Sequence, residues 1–172
     1  YFHPTSAAVQ AEAKGLPSPA ELKILEPLRG QIPDEVFTKE YNPPKTDGTG
    51  NIREGLRTAL GLLKQAGWSI KDGKLTNEKS GEKMAFEILL VSPQFERIAL
   101  PFTENLKRLG IDASVRTVDT AQFQKRSDEF DFDMVVESWG QSESPGNEQR
   151  DFWGSDAATH NGSQNSAGIK SK

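Results

Sequence analysis

The chain contains no cysteine, which excludes disulfide bonds, thiolate catalysis and cysteine-ligated zinc. A protein without cysteine suits reducing and oxidising compartments alike, so this absence does not locate the protein. Histidine is scarce as well: His3 and His160 lie far apart in dissimilar segments, and we predict no metal site. Nucleotide-binding glycine motifs, the P-loop and the Gly-x-Ser-x-Gly hydrolase motif are also missing.

Basic clusters and long apolar runs are missing too. The 172 residues carry a formal net charge of -4, with lysine and arginine scattered along the chain. Nucleic-acid-binding domains usually show a basic patch or stripe, so we expect no nucleic-acid partner. No apolar run approaches the length of a transmembrane helix, so no membrane-spanning segment is predicted. Because the first residue is Tyr1 and not Met, we expect the chain to be processed or cut from something longer.

Proline is concentrated at the start of the chain, where residues 1–50 contain seven of the ten prolines. Proline fixes φ, removes a hydrogen-bond donor and restricts the residue before it. We therefore predict that residues 1–50 form a Pro-rich, irregular arm packed on the rest of the chain, with short helical turns near 19–25 and 33–36. Residues 51–172 are predicted to form an α/β lobe.

The α/β prediction rests on alternating strand-like and helix-like patterns. Apolar residues recur at helical spacing from Ile52 to Ala66, and an Asp-Gly turn predicts a hairpin around 68–76. Three strands and two helices then alternate, at Met84–Val91, 94–109, Ile111–Val118, 119–128 and Met134–Ser138. The helix at 94–109 has one apolar face, which consists of Phe95, Ile98, Ala99, Phe102, Leu106 and Leu109. This β-α-β-α-β order predicts parallel strands with right-handed crossovers.

Polar residues and one tryptophan follow the predicted strands. The carboxyl ends of parallel strands meet at one edge of the sheet, where open α/β proteins bind ligands. That edge gathers Ser92 with Gln94, then Thr117–Thr120, then Glu137–Ser142. Helix capping alone is the simpler interpretation for the first two groups. In the third group Trp139 is either an aromatic of the core or lobe interface, or a ligand contact. The predicted ligand-binding residues are Ser138, Trp139, Gly140, Gln141 and Ser142.

Three carboxylates near the last predicted strand offer an alternative function. Asp131, Asp133 and Glu137 occupy odd positions and would share one face of a strand, as a general acid/base pair requires. The simpler interpretation is that Asp131 and Asp133 are solvated residues at the start of the strand, away from the ligand edge. We therefore predict no catalytic residues, and an α/β enzyme that uses these acids stays the less favoured alternative.

Several phrases of the sequence, taken as a set, resemble a known family. The run from Arg53 to Trp68 resembles the R-x-x-L-x-x-A-x-x-L-L-x-x-A-G-W helix of bacterial extracellular solute-binding proteins of family 5. Leu106–Ile111 resembles their L-x-x-x-G-I step from helix to strand, and the segment from Phe130 to Trp139 resembles their F-D-x-x-x-x-x-W strand. The later Asn165-to-Gly168 stretch resembles their N-x-x-G segment before a final helix.

Other phrases are similar to the YejA-like branch of that family. They include Gly15–Ser18, Ile24–Pro27, Trp139–Ser142 and Ser144–Gln149. The resemblance covers nearly the whole chain and implies that it is most of the C-terminal lobe of a longer, two-lobed receptor. No single motif among them would be specific by itself.

The resemblance implies a function in transport. Family members capture oligopeptides or peptide-like ligands between two lobes and deliver them to an ABC-importer permease in the inner membrane. It therefore implies a periplasmic, monomeric, non-enzymatic receptor without a cofactor. A nickel, haem or other small-solute receptor on the same fold is the alternative.

One departure from the family pattern concerns the ligand. Many peptide-binding relatives carry an aspartate three residues after the tryptophan, where it pairs with the ammonium group of the peptide. This chain has Ser142 at that position, so Glu137 or Glu143 would have to replace the aspartate. The difference leaves room for peptides that are bound in another way, including modified or cell-wall-derived ones.

Overall fold

A computed structural model of the chain describes residues 15–40, 48–140 and 146–170. The chain divides into two compact units, Tyr1–Gly50 and Asn51–Lys172. Within the described ranges no helix combines the length and the apolar character that crossing a membrane requires.

The first unit contains two short helices, α1 (Pro19–Leu25) and α2 (Glu35–Thr38), where the sequence predicted helical turns. α1 begins at a capping box, in which Ser18 and Glu21 each accept a hydrogen bond from the other's backbone N–H. After a 3-10 turn, Arg29 donates to both carboxylate oxygens of Glu26, at 2.7 and 2.9 Å. Its guanidinium also lies 3.9 Å from the ring centroid of Phe37, so one cation ties the turn to α2.

The second unit begins with α3 (Arg53–Gln65), the helix that the apolar spacing predicted. Its inner side chains Leu56, Ala59 and Leu63 pack against a buried cluster. This cluster consists of Leu75, Leu109, Ile111 and Ala113.

A two-stranded hairpin follows α3, as predicted. β1 (Trp68–Lys71) and β2 (Lys74–Asn77) are antiparallel, and the positive φ angles of the Asp72-Gly73 turn match a type I′ hairpin. Gly110 joins this hairpin to the rest of the unit, since its carbonyl accepts the Leu75 N–H at 2.8 Å. A Cβ on Gly110 would lie 2.8 Å from that nitrogen, and its φ is +77°, so glycine is required there.

The main sheet has three parallel strands. They are β3 (Ala85–Leu90), β4 (Asp112–Thr117) and β5 (Met134–Val135), in the order β4-β3-β5. The second strand therefore pairs on one side of β3 and the third on the other. In open α/β sheets such a reversal of strand order marks the place where ligands bind.

The connecting helices cover opposite faces of the sheet. α4 (Glu96–Lys107), which follows a 3-10 turn at Pro93–Phe95, joins β3 to β4, and its Ala99 packs on Ile88 and Leu90. Because side chains alternate along a strand, Glu87 points to the other face. There it binds Arg126 of α5 (Thr120–Asp128), the helix that joins β4 to β5. α6 (Glu148–Trp153) follows β5.

The buried face of α4 matches the predicted one only in part. Ala99 and Thr103 are buried, whereas three of the predicted core residues are exposed, namely Phe95 (41%), Ile98 (61%) and Phe102 (43%). Small side chains let the helix approach the sheet closely. The Thr103 hydroxyl is satisfied within the helix, since it donates to the Leu100 carbonyl at 2.9 Å.

The last strand is shorter than predicted: the sequence indicated Met134–Ser138, and the structure has Met134–Val135. Two residues pair, Met134 with Ile88 and Val135 with Leu89, and the chain beyond β3 turns at Pro93. In this register Glu137 and Ser138 lie beyond Leu90, the last residue of β3. The segment after β5 is instead free to form the wall of a cavity.

Glu87 lies at the centre of the sheet's polar face. Arg116 of β4 donates to it at 2.7 Å and Arg126 of α5 at 3.0 Å, and Arg126 also binds Asp131 at 3.0 Å. Burial alone would raise the pKa of Glu87, but the hydrogen bonds and charges of the two arginines outweigh it and hold the pKa below its ordinary value. One carboxylate thus joins three elements of the second unit.

We expect Glu87→Gln to lower the free energy of unfolding at pH 7 by about 1–2 kcal/mol, because the amide loses two charge-assisted hydrogen bonds. Since the folded pKa lies below the unfolded value, this stabilisation is complete above the unfolded value of 4.5 and is lost as pH falls through the folded value. Urea unfolding followed by circular dichroism at several pH values measures both effects.

The matched control is Glu54→Gln. Its ion pair with Arg57 is largely exposed, and its removal should change stability little. Equal effects of the two substitutions, or a Glu87→Gln effect that persists below the folded pKa, would contradict the role of Glu87.

Candidate functional site

A cavity of about 460 Å³ lies beyond the carboxyl end of β5. Four segments line it: one side of α5, the segment after β5, Phe152 of α6 and the loop around residue 164. The lining residues are Phe123, Gln124, Ser127, Asp128, Glu137, Ser138, Trp139, Gly140, Phe152, Gly162, Ser163, Gln164 and Ser166. This volume falls within the range of small-ligand pockets.

Trp139 is held on two sides. Its indole N–H donates to the carbonyl of Gln164 at 3.3 Å. Its ring lies against Trp153, with centroids 5.2 Å apart and planes inclined by 44°, and Trp153 in turn meets Phe152 edge-on. These contacts fix the ring before any ligand arrives, which reduces the entropy that binding would cost.

Polar groups of α5 and of the loop around residue 164 also line the cavity. Gln124 donates to the Asp128 carboxylate at 2.7 Å, and the Asp128 carbonyl accepts the N–H of Gly162, which ties the loop to α5. Two buried hydroxyls of the wall, Ser127 Oγ and Ser166 Oγ, have no hydrogen-bond partner among the described residues. Buried polar atoms without partners are uncommon in folded proteins. Both atoms are buried, so they lie behind the surface of the cavity.

The predicted ligand-binding residues lie partly in this cavity. Ser138, Trp139 and Gly140 line it, next to Glu137. A Cβ on Gly140 would meet no atom of the described residues within 4 Å. Gln141 and Ser142 lie outside the described residues, as does Glu143.

The other residues of the predicted edge have structural roles and do not line this cavity. Ser92 accepts the N–H of Gln94, and Asp119 caps α5 by accepting the N–H of Gln122 at 2.9 Å. Thr117 bonds to Glu96 at 2.5 Å. Capping was the simpler interpretation of Ser92 and Asp119, and the structure confirms it.

The three carboxylates of the alternative enzyme hypothesis do not converge. Asp131 binds Arg126, and Asp133 accepts the backbone N–H of Glu87 at 2.9 Å, so both stabilise the start of β5. Asp131 lines a separate charged cleft, whereas Glu137 lines the cavity with Trp139. These positions do not support the less favoured alternative of an acid/base pair on one face, and they agree with the simpler interpretation of Asp131 and Asp133 as residues at the start of the strand.

The described residues contain no group of three or more histidine, cysteine or acidic side chains that could hold a metal ion. His160 follows the 3-10 turn Ala157–Thr159, and its backbone N–H bonds to Ala157. His3 lies outside the described residues.

Sequence reasoning missed the walls that α5 and the loop at residues 162–166 contribute. Phe123 and Ser127 are four residues apart and share one side of α5, a spacing that was a detectable signal. The loop gave no local signal, because its contact with Trp139 joins residues 25 positions apart.

Comparison with known proteins identifies similar sequences. The model of a family described as "Bacterial extracellular solute-binding proteins, family 5 Middle" matches residues 26–161, which is more than half of the chain. The probable peptide-binding protein YejA of Agrobacterium fabrum is 45% identical over 158 residues, or 92% of this chain and 26% of that protein. The peptidoglycan-binding protein YepA of the same species is 42% identical over 149 residues, or 87% of this chain and 24% of that protein. The chain thus spans about a quarter of the length of these relatives.

A solved structure is also similar. The oligopeptide-binding protein AppA from Bacillus subtilis, in complex with a nonapeptide, matches with a TM-score of 0.58 and 28% sequence identity. The match covers 66% of this chain and 23% of AppA. It confirms the predicted α/β fold with a parallel sheet as that of a solute-binding-protein lobe.

The contacts of Trp139 predict the effect of a conservative substitution. Trp139→Phe keeps a ring against Trp153 but leaves the Gln164 carbonyl without its donor, so we expect a loss of about 1 kcal/mol in the free energy of unfolding. Urea unfolding measures it, with Ser138→Ala as a neighbouring control that should stay within about 0.5 kcal/mol of the wild type. Identical stability of all three proteins would show that the indole hydrogen bond contributes nothing.

Proposed function

The chain belongs to the bacterial extracellular solute-binding proteins of family 5, and on that premise we propose that it forms a ligand-contacting lobe of a peptide receptor. The receptor captures oligopeptides or peptide-like molecules between two lobes, in the periplasm. The matches also confirm the resemblance to the YejA-like branch. The chain's coverage of about a quarter of its relatives supports the view that it is one part of such a receptor.

The observation that carries the proposal is the fixed position of Trp139 in the wall of the cavity. An aromatic ring held by Gln164 and Trp153 offers a rigid surface on which an apolar side chain or a peptide plane can stack. Around it, serine hydroxyls both donate and accept hydrogen bonds, as the alternating N–H and C=O groups of a peptide require. Gly140 leaves open space for the ligand backbone.

Residues after Gly140 complete the proposed contacts. Gln141 and Ser142 follow directly in sequence, and we assign them hydrogen bonds to the ligand. A lobe of this kind holds one side of the ligand, and hinge closure of a second lobe covers the other side. The closed, monomeric receptor then delivers its ligand to the permease of an ABC importer.

The charge of the cavity favours a ligand with a cationic group. Its lining includes the carboxylates of Glu137 and Asp128, and no lysine or arginine among the described lining residues. Asp128 already accepts a hydrogen bond from Gln124, whereas Glu137 bonds to the adjacent Ser138 N–H at 3.3 Å. We assign to Glu137 the pairing with a ligand ammonium group that Ser142 cannot provide.

Binding without catalysis is the proposal that the relatives support. The relatives compared here carry names of binding proteins. The name of YepA extends the peptide class to cell-wall-derived peptides, which combine amino acids with sugars. Serine, amide and tryptophan side chains can bind amino acids and sugars alike.

A two-lobed receptor that carries this chain should show an increased melting temperature with some members of a peptide panel. The panel contains synthetic peptides of two to nine residues and muropeptides released from peptidoglycan. Trp139→Leu should weaken binding about tenfold, because a stacking contact contributes about 1.4 kcal/mol. Ser92→Ala lies on the same sheet edge outside the cavity and should leave affinity unchanged. Absence of any peptide-induced shift would refute peptide binding.

The role of Glu137 is tested with one peptide from that panel in two forms. Glu137→Gln should weaken binding of the free-amine form about tenfold or more and leave its N-acetylated analogue unaffected, because a charge-assisted hydrogen bond contributes about 1.5–3 kcal/mol. Isothermal titration calorimetry gives both affinities. The control Glu104→Gln, on α4, should change neither. Equal losses for both peptide forms would assign Glu137 a role other than ammonium binding.

A further inference from the structure

Asn165 is the polar side chain with the least exposure among the described residues. Its exposed fraction is 0%, and it lies in the loop that forms one wall of the cavity. Its Nδ2 donates to the carbonyls of Gly154 and Ile169, and its Oδ1 accepts the N–H of Ile169, each at 3.0 Å. Both amide protons and the amide oxygen are therefore used, which makes its burial energetically acceptable.

The bonds of Asn165 lie beside the anchors of both indole rings. Gly154 directly follows Trp153, and Gln164, whose carbonyl holds the Trp139 N–H, directly precedes Asn165. One side chain thus connects the backbone that carries Trp153 with the backbone that holds Trp139. The two rings lie 5.2 Å apart between these points.

The anchor at Gly154 is rigid. Gly154 N–H donates to the Arg150 carbonyl at 2.8 Å and so ends α6. A Cβ on Gly154 would lie 2.4 Å from that carbonyl oxygen, so little other than glycine fits this tight turn. Asn165 therefore fastens the loop to the fixed end of a helix.

We propose that Asn165 is the positioning residue of the Trp139–Trp153 pair and thereby of the ligand-stacking surface. It touches no ligand itself. It fixes the distance between the Gln164 carbonyl and α6. At that distance Trp139 can donate its N–H to Gln164 and pack against Trp153 at the same time. The link to ligand binding rests on the proposed function, whereas the control of ring geometry does not.

Alternatives to Asn165 fail on hydrogen-bonding capacity. Aspartate has the same shape but loses both donors and places a charge in a fully buried site. Alanine leaves three backbone groups without their partner. Serine can retain one of the bonds, and is therefore the milder substitution. The other loop anchors, Ser163 to Ala157 and Gly162 to Asp128, do not connect the two tryptophan-bearing segments.

The test uses circular dichroism of the 172-residue chain. Two indoles in close, tilted contact couple their electronic transitions and give a pair of circular-dichroism bands of opposite sign, called an exciton couplet. Trp139→Phe removes the coupling and gives the baseline. In Asn165→Asp and Asn165→Ser we expect most of the couplet to be lost at a temperature where the chain is still folded. The control Thr103→Val removes another buried hydrogen bond, in α4, and should leave the couplet intact.

Each outcome decides the proposal. A full couplet in folded Asn165→Ser overturns it and leaves Asn165 a merely structural residue. If Asn165→Asp does not fold, Asn165→Ser alone decides. A lost couplet together with unchanged peptide affinity in the two-lobed receptor would overturn the link to binding. If the couplet is lost but no peptide raises the melting temperature of the receptor, the control of ring geometry by Asn165 is supported and the proposed function is refuted.

Discussion

The second unit depends on one carboxylate in the middle of its central strand. Glu87 accepts hydrogen bonds from β4 and α5, and its own backbone N–H donates to Asp133. A partly buried carboxylate needs such partners, because burial without them would be costly. Since Arg126 also binds Asp131, the same network fixes the path from α5 into β5. It therefore determines where the chain leaves the sheet and where the cavity wall begins.

The cavity follows from that exit point. Beyond Val135 the strand pairing ends, and Glu137 to Gly140 line the cavity together with α5 and the loop near residue 164. Trp139 gains its fixed position from neighbours 14 and 25 residues away, Trp153 and Gln164. A rigid aromatic surface with hydroxyls around it suits binding, whereas two of the three acids that suggested catalysis, Asp131 and Asp133, stabilise the start of β5.

Much of the fold was predictable because its signals are local. The helix from Arg53 to Gln65, the hairpin at Asp72-Gly73 and the caps at Ser92 and Asp119 all follow from residues within one or two turns of each other. Which residues of the apolar face of α4 are buried was not predictable, since Ala99 and Phe102 are both apolar and share that face, yet only Ala99 is buried. The length of β5 was not predictable either, since its pairing with β3 stops at Val135 although β3 continues to Leu90. The burial of α4 and the length of β5 both depend on the elements packed beside them and not on their own sequences.

The sequence by itself determined the α/β class, the family and the segment from Ser138 to Gly140 as the candidate ligand wall, since these depend on residue order and local spacing. Tertiary structure alone decided that Asp131 and Asp133 belong to the sheet while Glu137 faces the cavity. It also brought α5 and the Asn165 loop to Trp139. The physical reason is that hydrogen bonds such as those of Glu87, Trp139 and Asn165 form only when distant segments meet, and burial then decides which polar groups must find a partner.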